Sequence, residues 1–166
     1  GMKFFDVVKE KLPQAEFIAE DLGYLTPSVL ELVKETGYPG MKILQFAFDS
    51  REDSDYLPHN YAPHSVTYTG THDNDTILGW FNSSNPADTQ FAIEYLRLTE
   101  EEGYHWGMMN SAWGSVSDWV FVTMQDLLGL GSWARMNTPS TIGDNWKWRA
   151  MPGDFSKELG KKIYKQ

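Results

Sequence analysis

Apolar and polar positions change period several times along the chain, and the changes mark its elements. Residues 4–12 (FFDVVKEKL) are apolar at 4, 5, 7, 8 and 12, a helical spacing that Pro13 ends. Residues 17–19 (FIA) read as a short apolar strand running into Glu20 and Asp21. Thr26 as N-cap and Pro27 in the first turn open a second helix, which runs to about Glu35 and stops at Gly37. Residues 41–48 (MKILQFAF) form a largely apolar strand ending at Asp49. A loop over 50–64, with two prolines and several acids, leads to a third strand over 65–69. Residues 76–81 predict a short helical turn, 88–102 a clear helix, and 110–118 another short one. Residues 119–124 (WVFVTM) predict a fourth strand that ends at Gln125 and Asp126. A glycine-rich loop follows, and residues 154–164 form the last helix.

Strands alternating with helices imply parallel strands joined by right-handed crossovers, and apolar strand runs suit a sheet covered on both faces. The fold class is therefore α/β. Every predicted strand ends in polar groups: Glu20-Asp21, Asp49, His72-Asp73 and Gln125-Asp126. In a (β/α)8 barrel the C-terminal strand ends and the loops after them build the active site. Ordinary helix capping by Asp and Asn is the competing explanation of the same pattern.

Composition narrows the function. The 166 residues fit one domain over 1–166, with Gly1 reading as a tag-cleavage remnant ahead of a start methionine. At 41% apolar and 14% aromatic residues, the chain can bury a core. A net charge of -9 argues against nucleic acid and anionic membrane as partners, since both favour Lys/Arg surfaces. No apolar run approaches the roughly 20 residues of a membrane span. Cysteine is absent, which rules out a disulfide framework and thiolate metal sites and fits a cytoplasmic protein. No Gly-x-Ser-x-Gly elbow and no Gly-x-Gly-x-x-Gly turn occurs, and the histidines show no metal-ligand spacing.

Paired carboxylates at strand ends suit glycosidic-bond cleavage, where one protonates the leaving oxygen and one attacks or stabilises an oxocarbenium-like centre. Glu20 and Asp73 are the best candidates. Seven Trp and eight Tyr fit a sugar ligand, because pyranose rings present flat C–H faces to aromatic side chains. Most such rings nevertheless serve packing, and Trp146 and Trp148 are read here as structural. Tyr56 and Tyr61 flank the 50–64 loop as candidate cleft residues. Arg135 and Arg149 are read as partners for nearby acids. The run Glu100-Glu101-Glu102 is a solvated helix end.

The stretches IAEDLGYLTPSV, MKILQFAFDS, YLPHNYAPHSVTYTGTHDNDTILGW and QDLLGLGSWARMNTPSTIGDNWKWR resemble, in order, the 4-alpha-glucanotransferases, also called amylomaltases or disproportionating enzymes. The resemblance implies a (β/α)8 barrel of the α-amylase clan. It also implies retaining transfer of segments between α-1,4-glucans or maltooligosaccharides, without metal or organic cofactor. By motif, Glu20 matches the general acid/base. Asp73 matches the carboxylate that holds sugar hydroxyls and stabilises the transition state. His72, Asp49 and Asn137 match substrate-binding positions, whereas Asn74 and Asp75 are expected to shape the turn.

Two departures stand out. Ser140 follows Pro139 where the family also has glycine. The family nucleophile, an Asp in an Arg-x-Asp-His-Phe-type motif, has no counterpart in this sequence. The expectation is therefore a partial barrel, approximately strands five to eight with their helices, inactive alone. Its exposed apolar face is expected to drive self-association or pairing with a missing N-terminal half-barrel. The alternatives are a glucan-binding unit without catalysis, or an α-amylase-clan hydrolase.

Overall fold

A computed structural model describes residues 1–23 and 25–166. Its centre is a sheet of three parallel strands in the order β1 (Gly40–Ile43), β2 (Ser65–Tyr68), β3 (Trp119–Phe121). The register sets Met41 beside Val66 and Val66 beside Trp119, then Ile43 beside Tyr68 and Tyr68 beside Phe121. Alternation along each strand puts these six side chains on one face.

The strands are shorter than their apolar runs predict. Residues 44–47 leave β1 as a tight 3-10 turn, and Met124 already belongs to a short helix. The predicted strand over 17–19 is reduced to one parallel bridge between Ala19 and Gly40. Asp21 sits beside that bridge, and its Oδ1 accepts the Met41 N–H at 2.7 Å.

Helices α1 (Met2–Lys11) and α2 (Pro27–Thr36) follow their sequence signals closely. Thr26 takes the extended N-cap conformation, and Gly37 ends α2 left-handed at φ 68°, a conformation open to a residue without Cβ. Helix α3 (Ile77–Ser83) is capped by the Thr76 hydroxyl. Helix α4 (Pro86–Leu96) stops earlier than its pattern predicts, because Arg97 turns left-handed. Helix α5 (Tyr104–Trp113) lies upstream of the helix expected over 110–118. Helices α6 (Met124–Leu127) and α7 (Lys157–Tyr164) complete the chain.

The core lies between the sheet and helices α3 to α5. Leu44, Phe48, Ile77, Trp106, Met108 and Met109 are its large members. Helix α7 docks onto it through Leu159 and through Lys162, whose ammonium stands 3.9 Å from the centre of the Trp106 ring. The expected two-sided cover holds for β2, where Ser65, Val66 and Thr67 are all buried. It fails at β3, where Trp119 and Phe121 remain 61% and 44% exposed. No helix among the described residues is long and apolar enough to cross a membrane.

Candidate active site

The site is built where β2 ends. Thr69 and Gly70 are buried beyond the strand, and a Cβ on Gly70 would stand 2.7 Å from the Gln45 amide nitrogen, so any larger residue would have to displace the Gln45 side chain. The chain then turns through residues 71–74. Asn74 Oδ1 accepts both the Thr71 N–H and the Thr71 hydroxyl, each at 2.8 Å, and closes the turn. Asp75 anchors the far side: its Oδ2 accepts the Ser132 hydroxyl at 2.7 Å, and its carbonyl accepts the Gln45 amide at 2.8 Å. Both residues shape the turn, as their motif suggests, and leave His72 and Asp73 projecting from it.

Asp73 is held from the 132–146 loop. Its Oδ1 accepts Asn137 Nδ2 at 2.6 Å and lies 3.4 Å from His72 Nε2. The Arg135 guanidinium donates to the Asp73 carbonyl at 2.6 Å and to the Asn137 carbonyl at 2.8 Å. The Asn137 N–H donates to the His72 carbonyl at 3.0 Å. Arg135 thus binds backbone carbonyls, not the acids that sequence assigns to it. Arg149 likewise donates to the carbonyls of Trp146 and Trp148. Asn137 supports Asp73 directly, a role that the motif alone does not reveal.

Glu20, His72 and Asp73 line one open hollow of 770 Å³, with Tyr68 and Phe121 on its floor and Pro139 on its border. Tyr68 and Phe121 stack there, centroids 5.2 Å apart. Burial first, and the charge of Glu20 second, push the Tyr68 phenol above its ordinary value. The arrangement offers two carboxylates, an imidazole and an aromatic floor to one ligand.

The four-acid rim is not what forms. Asp49 lies in a separate cleft with Asp53, Gln90 and Glu94. Arg51 grips both its oxygens, at 2.8 and 2.6 Å, and holds its carboxyl down at about 2. Asp126 is buried inside α6, where it accepts the Thr69 hydroxyl at 2.9 Å and the Ile77 N–H at 2.7 Å. Gln125 is buried too and donates to the Ala134 carbonyl. The apolar run over 119–124 hides this, because residues 122–124 turn away from the sheet before the polar pair arrives. Tyr61 is buried in the core region and Tyr56 packs edge-on against Phe46, so neither belongs to the hollow.

Trp146 does not stack on the C-terminal helix. Its ring lies on His72, centroids 5.0 Å apart at 39°. The hydrophobic pattern carries no sign of this, since the contact depends on a left-handed backbone at Trp146.

The hollow lies at the end of a parallel α/β sheet, and comparison with known proteins places the chain in a family. The model of the 4-alpha-glucanotransferase family matches residues 1–153, and the chain belongs to that family. It is 53% identical over 165 residues to the 4-alpha-glucanotransferase of Clostridium butyricum, covering 99% of this chain and 34% of that protein. It is 44% identical to the Thermus thermophilus 4-alpha-glucanotransferase, over 98% of this chain and 34% of that one. The structure of the amylomaltase from Streptococcus agalactiae in complex with acarbose superposes with a TM-score of 0.93 at 36% identity, over 99% of this chain and 33% of that one. The chain thus spans about a third of the length of these relatives.

Proposed function

We propose that the hollow is the acid/base side of a retaining 4-alpha-glucanotransferase site that acts on α-1,4-glucans and maltooligosaccharides. One observation carries this reading: Glu20 and the His72-Asp73 pair, far apart in sequence, line the same hollow. The acarbose bound by the Streptococcus agalactiae amylomaltase supports a glucan-like ligand. In this reading Glu20 protonates the leaving glycosidic oxygen and later takes the proton of the incoming sugar hydroxyl. Asp73, oriented by Asn137, accepts hydrogen bonds from sugar hydroxyls and stabilises positive charge at the anomeric carbon. His72 binds the substrate beside it. Asp49, paired with Arg51, lies in the separate cleft and not in this hollow.

The three strands and the Ala19 bridge correspond, in this proposal, to barrel strands five to eight. The nucleophile lies outside this sequence, so the chain binds glucan without transferring it. Retention needs a carboxylate about 5–5.5 Å from the acid/base. Glucose release from maltotriose tests this: the expected result is no turnover by the chain alone. Turnover abolished by Glu20→Gln would show that a residue of this chain, or of a second copy, supplies the nucleophile.

Trp119, exposed and outside the hollow, supports a second element of the proposal, that this part of β3 is covered by self-association. Light scattering at rising protein concentration is expected to show a growing mass, and a constant monomer mass contradicts it.

A further inference from the structure

We propose that Trp146 is a sugar-stacking residue beside the hollow, its indole tilted at 39° against His72, which lines the hollow, and its exposed surface offered to a pyranose ring of the glucan. This rests on the glucan-binding reading of the hollow and adds a residue to it.

The backbone of Trp146 is left-handed, at φ 64°. For a bulky side chain that is an outlier, which persists only where surrounding structure imposes it. The surroundings do impose it. The Trp146 N–H donates to the Met136 carbonyl at 2.7 Å, and the Trp146 carbonyl accepts from Arg149 at 2.8 Å. The residue before it is fixed as well: Asn145 Oδ1 accepts the Thr138 N–H at 2.9 Å, and Asn145 Nδ2 donates to the Thr141 hydroxyl at 3.0 Å.

A large ring usually contributes by being buried, yet Trp146 is 53% exposed. Trp106, by comparison, is 3% exposed on a regular helix. What the unusual backbone achieves at Trp146 is position: it sets a flat apolar surface against His72, which itself lies 3.4 Å from the Asp73 carboxylate that Asn137 holds. A pyranose ring has the same division, a flat C–H face and a hydroxyl-bearing edge. The indole meets the face while the acid, amide and imidazole meet the edge.

The test is a titration of the chain with maltoheptaose, following the tryptophan indole N–H resonances by NMR, with Trp146 assigned from spectra linked to its backbone. The Trp146 resonance is expected to shift along the binding isotherm. Trp146→Ala is expected to weaken binding about three- to tenfold, the worth of one aromatic face, and Trp146→Phe by no more than about twofold. Binding that leaves the Trp146 resonance of the parent chain unmoved overturns this inference and spares the glucan reading. No binding by the parent chain overturns both. Because the resonance is read in the parent chain, the result does not depend on whether the variants fold.

Discussion

Asp73 and Asp126 both follow strands of the same sheet, and both sit in acid–amide runs that look alike in sequence. The fold uses them in opposite ways. Asp126 is 2% exposed, and its two oxygens accept a hydroxyl and a backbone N–H that have no water to turn to. Asp73 projects from a turn with its side chain 47% exposed, held by one amide, with the His72 imidazole 3.4 Å away. A carboxylate whose bonds are all internal stabilises the fold. One held from behind, with its front open, is available to a ligand. The contrast shows that an acid after a strand is a site candidate only once its hydrogen bonds have been counted.

The largest expected effect follows from this. Asp126→Ala strands the Thr69 hydroxyl and the Ile77 N–H in a buried place, and is expected to cost about 3 kcal/mol in urea unfolding. Asp73→Ala is expected to cost about 1 kcal/mol or less, while abolishing most maltoheptaose binding in calorimetry. Equal losses of stability in the two variants would erase the distinction.

A pH titration of stability sharpens the comparison, because Asp126 and Asp49 shift in opposite directions. Burial raises the Asp126 carboxyl above its ordinary 3.8, so between 3.8 and the folded value the folded chain holds a proton that the unfolded chain releases. Its contribution is lost as pH rises from 3.8 through the folded value. Arg51 holds Asp49 at about 2, so that contribution is present above 3.8 and lost as pH falls towards 2. Asp126→Asn is expected to flatten the first slope and Asp49→Asn the second, read from unfolding midpoints across the acid range. Unchanged slopes in both variants contradict these assignments.

The smallest effect concerns the loop that carries Asn137. Ser140 has φ 62°, a conformation that favours glycine. Ser140→Gly is expected to raise stability by about 1 kcal/mol, less the entropy that glycine adds to the unfolded chain, read from the unfolding midpoint. A lower midpoint would show that the serine side chain matters more than the backbone strain.

Local signals carried much of this structure. Pro27, Gly37 and the 3.6-residue spacing gave the ends of α1 and α2 to within a residue or two, because capping and apolar periodicity act locally. The α/β class and the parallel sheet followed from alternation of elements. Strand lengths did not, since residues 44–47 and 122–124 are apolar for packing and not for pairing. At the site, the motif placed Glu20, His72 and Asp73 together. Arg135 on two carbonyls and Trp146 on His72 were not legible, because both depend on where a long loop crosses the end of β2. The departure at Ser140 was legible in the sequence, but its meaning emerged only from the backbone angle.

The account stands on the hollow at the end of β2 being where glucan binds, and mapping the binding surface tests that most directly. Backbone and side-chain amide resonances of the chain, followed by NMR as maltoheptaose is added, are predicted to shift at His72, Asp73, Asn74 and Asn137 and to stay fixed around Asp49, Gln90 and Glu94. Shifts confined to the Asp49 cleft, or absent altogether, would contradict it.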